Sequence, residues 1–222
     1  MSKVHTIKLE CKSCSHEMDF TVWDSVNVSL DPDMKEKVLN GEIFNIKCHN
    51  CGKSHFVDYP TLYHDMDKQC MIYYLRDNES IKQIYNLYLD RNKNNSFFNT
   101  LKHTTIRIVT SPLELEEKIL IFDNNLDDRL IELSKLIIYY NYESKLPKIK
   151  NLNIVFNPRY TPYRFDFLDG YNPVCYADMP TNLYDNLVKD DLKNLVPIYD
   201  DNPLINKNWA LEYATNYSKK GN

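Results

Sequence analysis

Residues 7–22, IKLECKSCSHEMDFTV, and residues 44–57, FNIKCHNCGKSHFV, decide how this chain begins to fold. Ile7 and Leu9 alternate with polar residues before Cys11 and Cys14, and Met18, Phe20 and Val22 resume the alternation after them. Phe44 and Ile46 lead into Cys48 and Cys51 in the same way, and Phe56 follows. Period-two alternation marks strands, and two such runs around a tight turn mark a hairpin. The pattern predicts two β-hairpins, each with a Cys-x-x-Cys at its tip. Gly52, just after the second pair, suits a left-handed turn position that other residues resist. Ser15 holds that place in the first pair and fits it less well.

Two Cys-x-x-Cys turns offer four sulfurs that can complete a tetrahedron around one ion, with Zn–S near 2.3 Å. Cys11, Cys14, Cys48 and Cys51 are therefore the expected metal ligands and zinc the expected cofactor. Four thiolates close the shell, whereas hydrolytic zinc keeps a position open. The sequence carries no His-Glu-x-x-His. A zinc deaminase would need His-x-Glu and Pro-Cys-x-x-Cys; here Lys47 precedes Cys48, and Glu17 follows His16 directly. Two disulfides would give the same cysteine count, but residues 1–10, MSKVHTIKLE, carry no export signal. A redox dithiol belongs at a helix start in a βαβ unit, and both pairs here lie between strand patterns. Structural zinc ranks above both.

Thirty-three residues separate the pairs, more than a zinc ribbon needs. Asp31-Pro32 reads as a helix cap followed by proline in the first turn, and Asn40-Gly41 as the helix end. Met34 and Val38 share a face between them. A short inserted helix accounts for the length. Lys12, Lys47 and Lys53 flank the cysteines, where positive charge offsets the cluster.

Composition narrows the function. The chain has 222 residues, 43% hydrophobic and 26% charged, as in an ordinary globular protein. Only four glycines argue against a glycine-rich phosphate loop. Residues 1–77 carry nine Lys and Arg against twelve Asp and Glu, and the remainder eighteen against nineteen. Neither part has the basic excess of a nucleic-acid binder. No run approaches the length of a membrane span. The expected location is the cytoplasm.

Other candidate sites are less specific. His5, His16, His49, His55 and His64 fall in the first third, and His16 or His49 could stand in for a thiolate. The run from Asp58 to Lys68 is dense in His, Asp and Tyr. Its favoured role is a turn whose tyrosines pack the ribbon; the alternative is an acid–base or metal site using His64, Asp65 and Asp67. Cys70 and Cys175 lack a Cys-x-x-Cys partner and read as small core residues.

Beyond Asp77 helix periodicity takes over in Ile81, Ile84, Tyr85, Tyr88 and Leu89. Arg91 to Ser96 is an asparagine-rich loop, and Thr105 to Thr110 a strand. Ser111 and Glu114 form a capping box around Pro112, opening a helix to Phe122. A helix from Asp127 to Tyr142 presents Leu130, Leu133, Ile137 and Ile138 as a wide apolar face. Strand patterns return at Leu152–Phe156, Tyr163–Phe167 and Val174–Ala177, the last two joined at Asp169-Gly170. Helices follow over Leu183–Leu192 and Trp209–Tyr217, with a strand expected at Val196–Tyr199. Segregated strands and helices indicate an α+β class. The expected organisation is a zinc-ribbon-like β-hairpin domain with an inserted short helix at 1–77, then an α+β body at 78–222.

The paired motifs, Val22-Trp23-Asp24-Ser25-Val26-Asn27-Val28-Ser29-Leu30-Asp31-Pro32 between them, and Val57-Asp58-Tyr59-Pro60 with Tyr63-His64-Asp65-Met66 after them, resemble the CpXC family of bacteria and archaea. Residues 107–111 and 118–123 resemble the segment that follows in that family. The resemblance implies zinc at the four cysteines and imports no reaction. Lys12 and His49 replace the usual proline, which only stiffens the turn. The leading expectation is thus a protein-interaction or oligomerisation module, with a protein partner or self-association favoured by the 17 tyrosines. An enzyme centred on 58–67 ranks second and a nucleic-acid-binding zinc ribbon third; no membrane role is expected.

Overall fold

The computed structural model describes residues 2–89, 101, 103–146 and 149–220. The asparagine-rich stretch expected to form a loop lies outside them. The protein is α+β and divides into two compact units, Met1–Glu116 and Glu117–Asn222.

In the first unit β1 (Lys3–Glu10) and β2 (Glu17–Asn27) pair antiparallel, with Glu10 opposite Glu17, so the first cysteine pair occupies the turn. β3 (Asn45–Lys47) and β4 (Ser54–Phe56) close the second hairpin with Lys47 opposite Ser54. The inserted helix is α1 (Asp33–Leu39), which buries Met34 and Val38. It starts one residue later than expected, with Pro32 at the cap, and Gly41 turns the chain at φ +70°.

The main sheet has the order β1-β2-β5-β6-β7, with β5 (Thr61–Asp65), β6 (Cys70–Tyr74) and β7 (Thr105–Val109). β2 runs parallel to β5, so α1 and the second hairpin form the long crossover that parallel neighbours require. β5 and β6 are antiparallel, and β6 and β7 parallel. The run at 58–68, expected to be a turn, supplies a strand of this sheet. Its inward positions are Thr61, Tyr63 and Asp65. α2 (Asn78–Leu89) packs Tyr88 on Met71 and Ile106.

Aromatic side chains join the second hairpin to the sheet. The Tyr59 ring lies 5.7 Å from Phe20 and 5.1 Å from Phe44, and Phe44 lies 5.8 Å from Tyr74. Each buried ring contributes on the order of 2–3 kcal/mol of apolar burial. The Tyr59 hydroxyl donates to the Ile43 carbonyl at 2.8 Å, and burial pushes its pKa up to about 12. The expected packing role of tyrosine in this segment is met here, within a strand-forming region.

α3 (Pro112–Asp123) spans the boundary between units. Half of its capping box forms as expected, Ser111 Oγ accepting from Glu114 N, while the Glu114 carboxylate reaches back one residue further and accepts from Thr110 N. In the second unit α4 (Asp128–Tyr142) is buried along most of its length. Leu130, Leu133 and Leu136 pack with Leu187 of α5 (Leu183–Asp190) and Ala210 of α6 (Lys207–Lys220). A sheet of order β10-β9-β8 carries Phe156, Phe165 and Phe167 on its buried face. These strands are β8 (Leu152–Asn157), β9 (Arg164–Asp169) and β10 (Asn172–Asp178).

Three expectations need correction. Ile137 is exposed because the inward face of α4 is shared with charged residues rather than continued by that side chain. Val196–Tyr199 is no strand: a tight helical turn covers Ile198–Asp200, and the Val196 carbonyl accepts from Arg129 at 2.7 Å. Cys175 is exposed on the outer strand β10, whereas Cys70 is buried as expected.

That α4 face holds a buried charge network. Lys118 Nζ lies 2.8 Å from Asp128 and 3.5 Å from Glu132. Lys135 Nζ lies 2.6 Å from Glu117 and 2.9 Å from Glu132, and Glu117 also accepts from the Phe156 N–H. Burial opposes the charge on Lys135, yet Glu117 and Glu132 hold it protonated above the ordinary lysine range. Arg129 is clasped by Asp127 and Asp201.

Candidate metal centre

The two hairpin tips meet. The sulfurs of Cys11, Cys14, Cys48 and Cys51 all lie within 4.8 Å of one another. Across the tips, Cys11 Sγ and Cys51 Sγ are 3.6 Å apart, and Cys14 Sγ and Cys48 Sγ 3.7 Å. A tetrahedron with Zn–S near 2.3 Å has edges of about 3.8 Å. The donor set fits a zinc-sized ion, and the four sulfurs among the described residues could hold one.

The two turns are built alike. Cys11 N donates to His16 O at 2.9 Å, and Ser15 N donates to Cys11 O at 2.8 Å. Cys48 N donates to Lys53 O and Gly52 N to Cys48 O, both at 2.8 Å. Ser15 and Gly52 both adopt positive φ, +56° and +71°. The serine therefore takes the conformation that glycine takes in the second turn, against its own steric preference. Each turn gathers its two sulfurs on one side, and Met18 and Ile46 pack against Cys11 and Cys48 from below.

Four thiolates this close repel one another. Hydrogen bonds from Asn50 and the His16 N–H hold Cys14 down at about 6. The Lys53 N–H favours the Cys51 thiolate, but lost solvation and the neighbouring sulfurs push that thiol up to about 12. A divalent cation is the natural complement to such a set, since binding deprotonates all the ligands together.

Two contributors escaped the sequence reading. His55 Nε2 lies 3.1 Å from Cys11 Sγ, and Asn50 Nδ2 lies 3.5 Å from Cys14 Sγ, so both can donate N–H···S bonds. The signal for His55 was the hairpin register: it stands opposite Ile46, whose side chain packs on the same sulfurs. His16 and His49, the histidines considered as alternative ligands, are exposed, as are Lys12, Lys47 and Lys53.

The residues at 58–67 disperse. His64 and Asp65 are neighbours on β5 and so face opposite sides of the sheet. Half-buried His64 lies 3.4 Å from the Asn27 amide, and burial lowers its basicity although Asp65 acts the other way. Asp65 pairs with Lys35 at 2.9 Å; despite burial, that contact and the Lys68 N–H hold its carboxyl below the usual range. Asp67 is exposed in the following turn, and Asp58 pairs with Arg76 at 2.8 Å.

No helix of the described residues is long and apolar enough to cross a membrane. Comparison with curated proteins and with solved structures gave no match. The family model described as CpXC protein matches residues 9–135, more than half of the chain and all four cysteines of the centre. By that match, the chain belongs to the CpXC family.

Proposed function

We propose that Cys11, Cys14, Cys48 and Cys51 bind one zinc ion as a structural staple, and that the chain works in the cytoplasm as a protein-interaction or oligomerisation module. The observation that carries the first part is the convergence of four sulfurs from two hairpin tips within 4.8 Å of one another, with the cross-tip distances of 3.6 and 3.7 Å near a tetrahedral edge. Bound there, zinc would supply a fixed cross-link; the four-sulfur shell leaves no position for substrate or water. We place the zinc-ribbon-like part at 1–77 and the α+β body at 78–222, on the ground that every ligand precedes residue 77.

The interaction role draws support from the outer strand β10. Tyr171, Val174 and Tyr176 are exposed on or beside it, Tyr171 by 68% and Tyr176 by 62%. A strand at the end of its sheet that carries large exposed aromatic side chains suits pairing with a partner, and tyrosine offers wide contact at small entropic cost. Elemental analysis of the purified protein should find one zinc per chain. Light scattering over a concentration series, with capture from the host lysate, should reveal a self-associated form or a retained protein. The double variant Tyr171→Ser/Tyr176→Ser should lose it. A chain that stays monomeric and retains nothing would refute the interaction role and leave the zinc intact.

A further inference from the structure

We propose that the cysteine centre is also a peroxide-responsive modification site, at which Cys51 is the sulfur oxidised and Cys11 the sulfur that resolves it. This rests on the zinc reading above. The four sulfurs are chemically alike but differently guarded. Cys11 and Cys48 are 1% exposed and Cys14 is half-buried, whereas Cys51 is exposed at the rim of its turn. The Asn50 side chain also donates to Cys14, and the His55 ring covers Cys11. Cys51 accepts from the Lys53 backbone N–H and neighbours the Cys11 sulfur at 3.6 Å. With zinc bound all four sulfurs are thiolates, and an oxidant arriving from solvent meets the most accessible of them, Cys51, first.

The chemistry closes without help from any other residue. The Cys51 thiolate attacks one oxygen of hydrogen peroxide; an S–O bond forms, the O–O bond breaks and hydroxide leaves, giving a sulfenic acid. The Cys11 thiolate, 3.6 Å away, attacks that sulfur; an S–S bond forms, the S–O bond breaks and a second hydroxide leaves. Two thiolates and one peroxide become one disulfide and two hydroxides, with two electrons passing from sulfur to oxygen. Cys14 and Cys48 remain as a lone pair of thiolates, too few to close a tetrahedron. The new bond joins the two hairpin tips, so they stay tethered while the metal site is dismantled. Reduction then rebuilds the site in place.

The test uses the zinc-loaded full chain in a Cys175→Ser background, which removes the other exposed thiol. Hydrogen peroxide should release one zinc per chain to a chromogenic chelator. A sulfenic-acid trap should label Cys51 first. Tryptic peptides 9–12 and 48–53 should be joined through Cys11 and Cys51, and dithiothreitol with added zinc should restore the starting state. Cys51→His keeps a ligand and should slow release by about tenfold or more. Zinc retained under peroxide, first labelling at Cys14 or Cys70, or a Cys48–Cys51 link would overturn the proposal. Should Cys51→His fail to fold, trapping on the chain with Cys51 intact still decides. Purified protein devoid of zinc would instead defeat the reading beneath it.

Discussion

The two units solve the same problem with opposite chemistry. The first gathers four sulfurs at its hairpin tips, a set that a cation from outside could reconcile. The second buries Glu117, Lys118, Asp128, Glu132 and Lys135 in its core and reconciles them with one another. A cross-link made with a metal can be removed by changing the solution; one made between side chains can be broken only by changing the sequence. Stability in the first unit should therefore follow metal supply, and in the second it should not.

The widest separation between the units should come from Cys48→Ser or from a strong chelator. Either should cost the first unit on the order of 5 kcal/mol or more, since binding energy at a structural zinc site is folding energy. Hydrogen exchange read peptide by peptide should speed over 3–65 and change less over 128–210. Equal change in both would abolish the contrast. Next comes Lys135→Met, which leaves Glu117 and Glu132 facing each other without their shared cation. A loss of about 3–5 kcal/mol is expected, because removing one member strands buried charge. Chemical denaturation of the variant measures it, and zinc content should be untouched.

Smaller effects sharpen the picture of the metal turns. Ser15→Gly relieves a left-handed serine and should stabilise the first unit by up to about 1 kcal/mol, while Gly52→Ala should cost about 1–2 kcal/mol. Thermal melts that move both variants the same way would show that the two turns are not equivalent. The smallest effect concerns pH. His64 is held below its ordinary 6.5 by burial. The fold favours its neutral form, so this contribution is present above that value and is lost as pH falls through the depressed one. Between about pH 7 and pH 5 the first unit should lose less stability in His64→Gln than in the parent chain.

What could be read from the sequence follows the same division. Both hairpins and their cysteine tips were legible because alternation and spacing are local properties, and the four cysteines come together as the pattern required. Strand β5 was not legible. Its inward positions are Thr61, Tyr63 and Asp65, and a buried aspartate satisfied by Lys35, thirty positions away, reads as a polar loop. The core charges of α4 were hidden for the same reason: Asp128, Glu132 and Lys135 look solvated until the partners on α3 are known. Val196–Tyr199 reads as a strand because the demand on the Val196 carbonyl comes from Arg129, 67 positions away. His55 was seen as one histidine among several, since only register brings it to Cys11.

The parallel pairing of β2 with β5 has a kinetic consequence. Ser25 must find Leu62 across the whole crossover, and such distant pairing is slow because the chain entropy is surrendered before any contact rewards it. An ion that seizes Cys14 and Cys48 early would shorten that search to the short stretches on either side of the clasp. Metal arrival would then set the pace at which the sheet assembles, in addition to how firmly it stands once assembled.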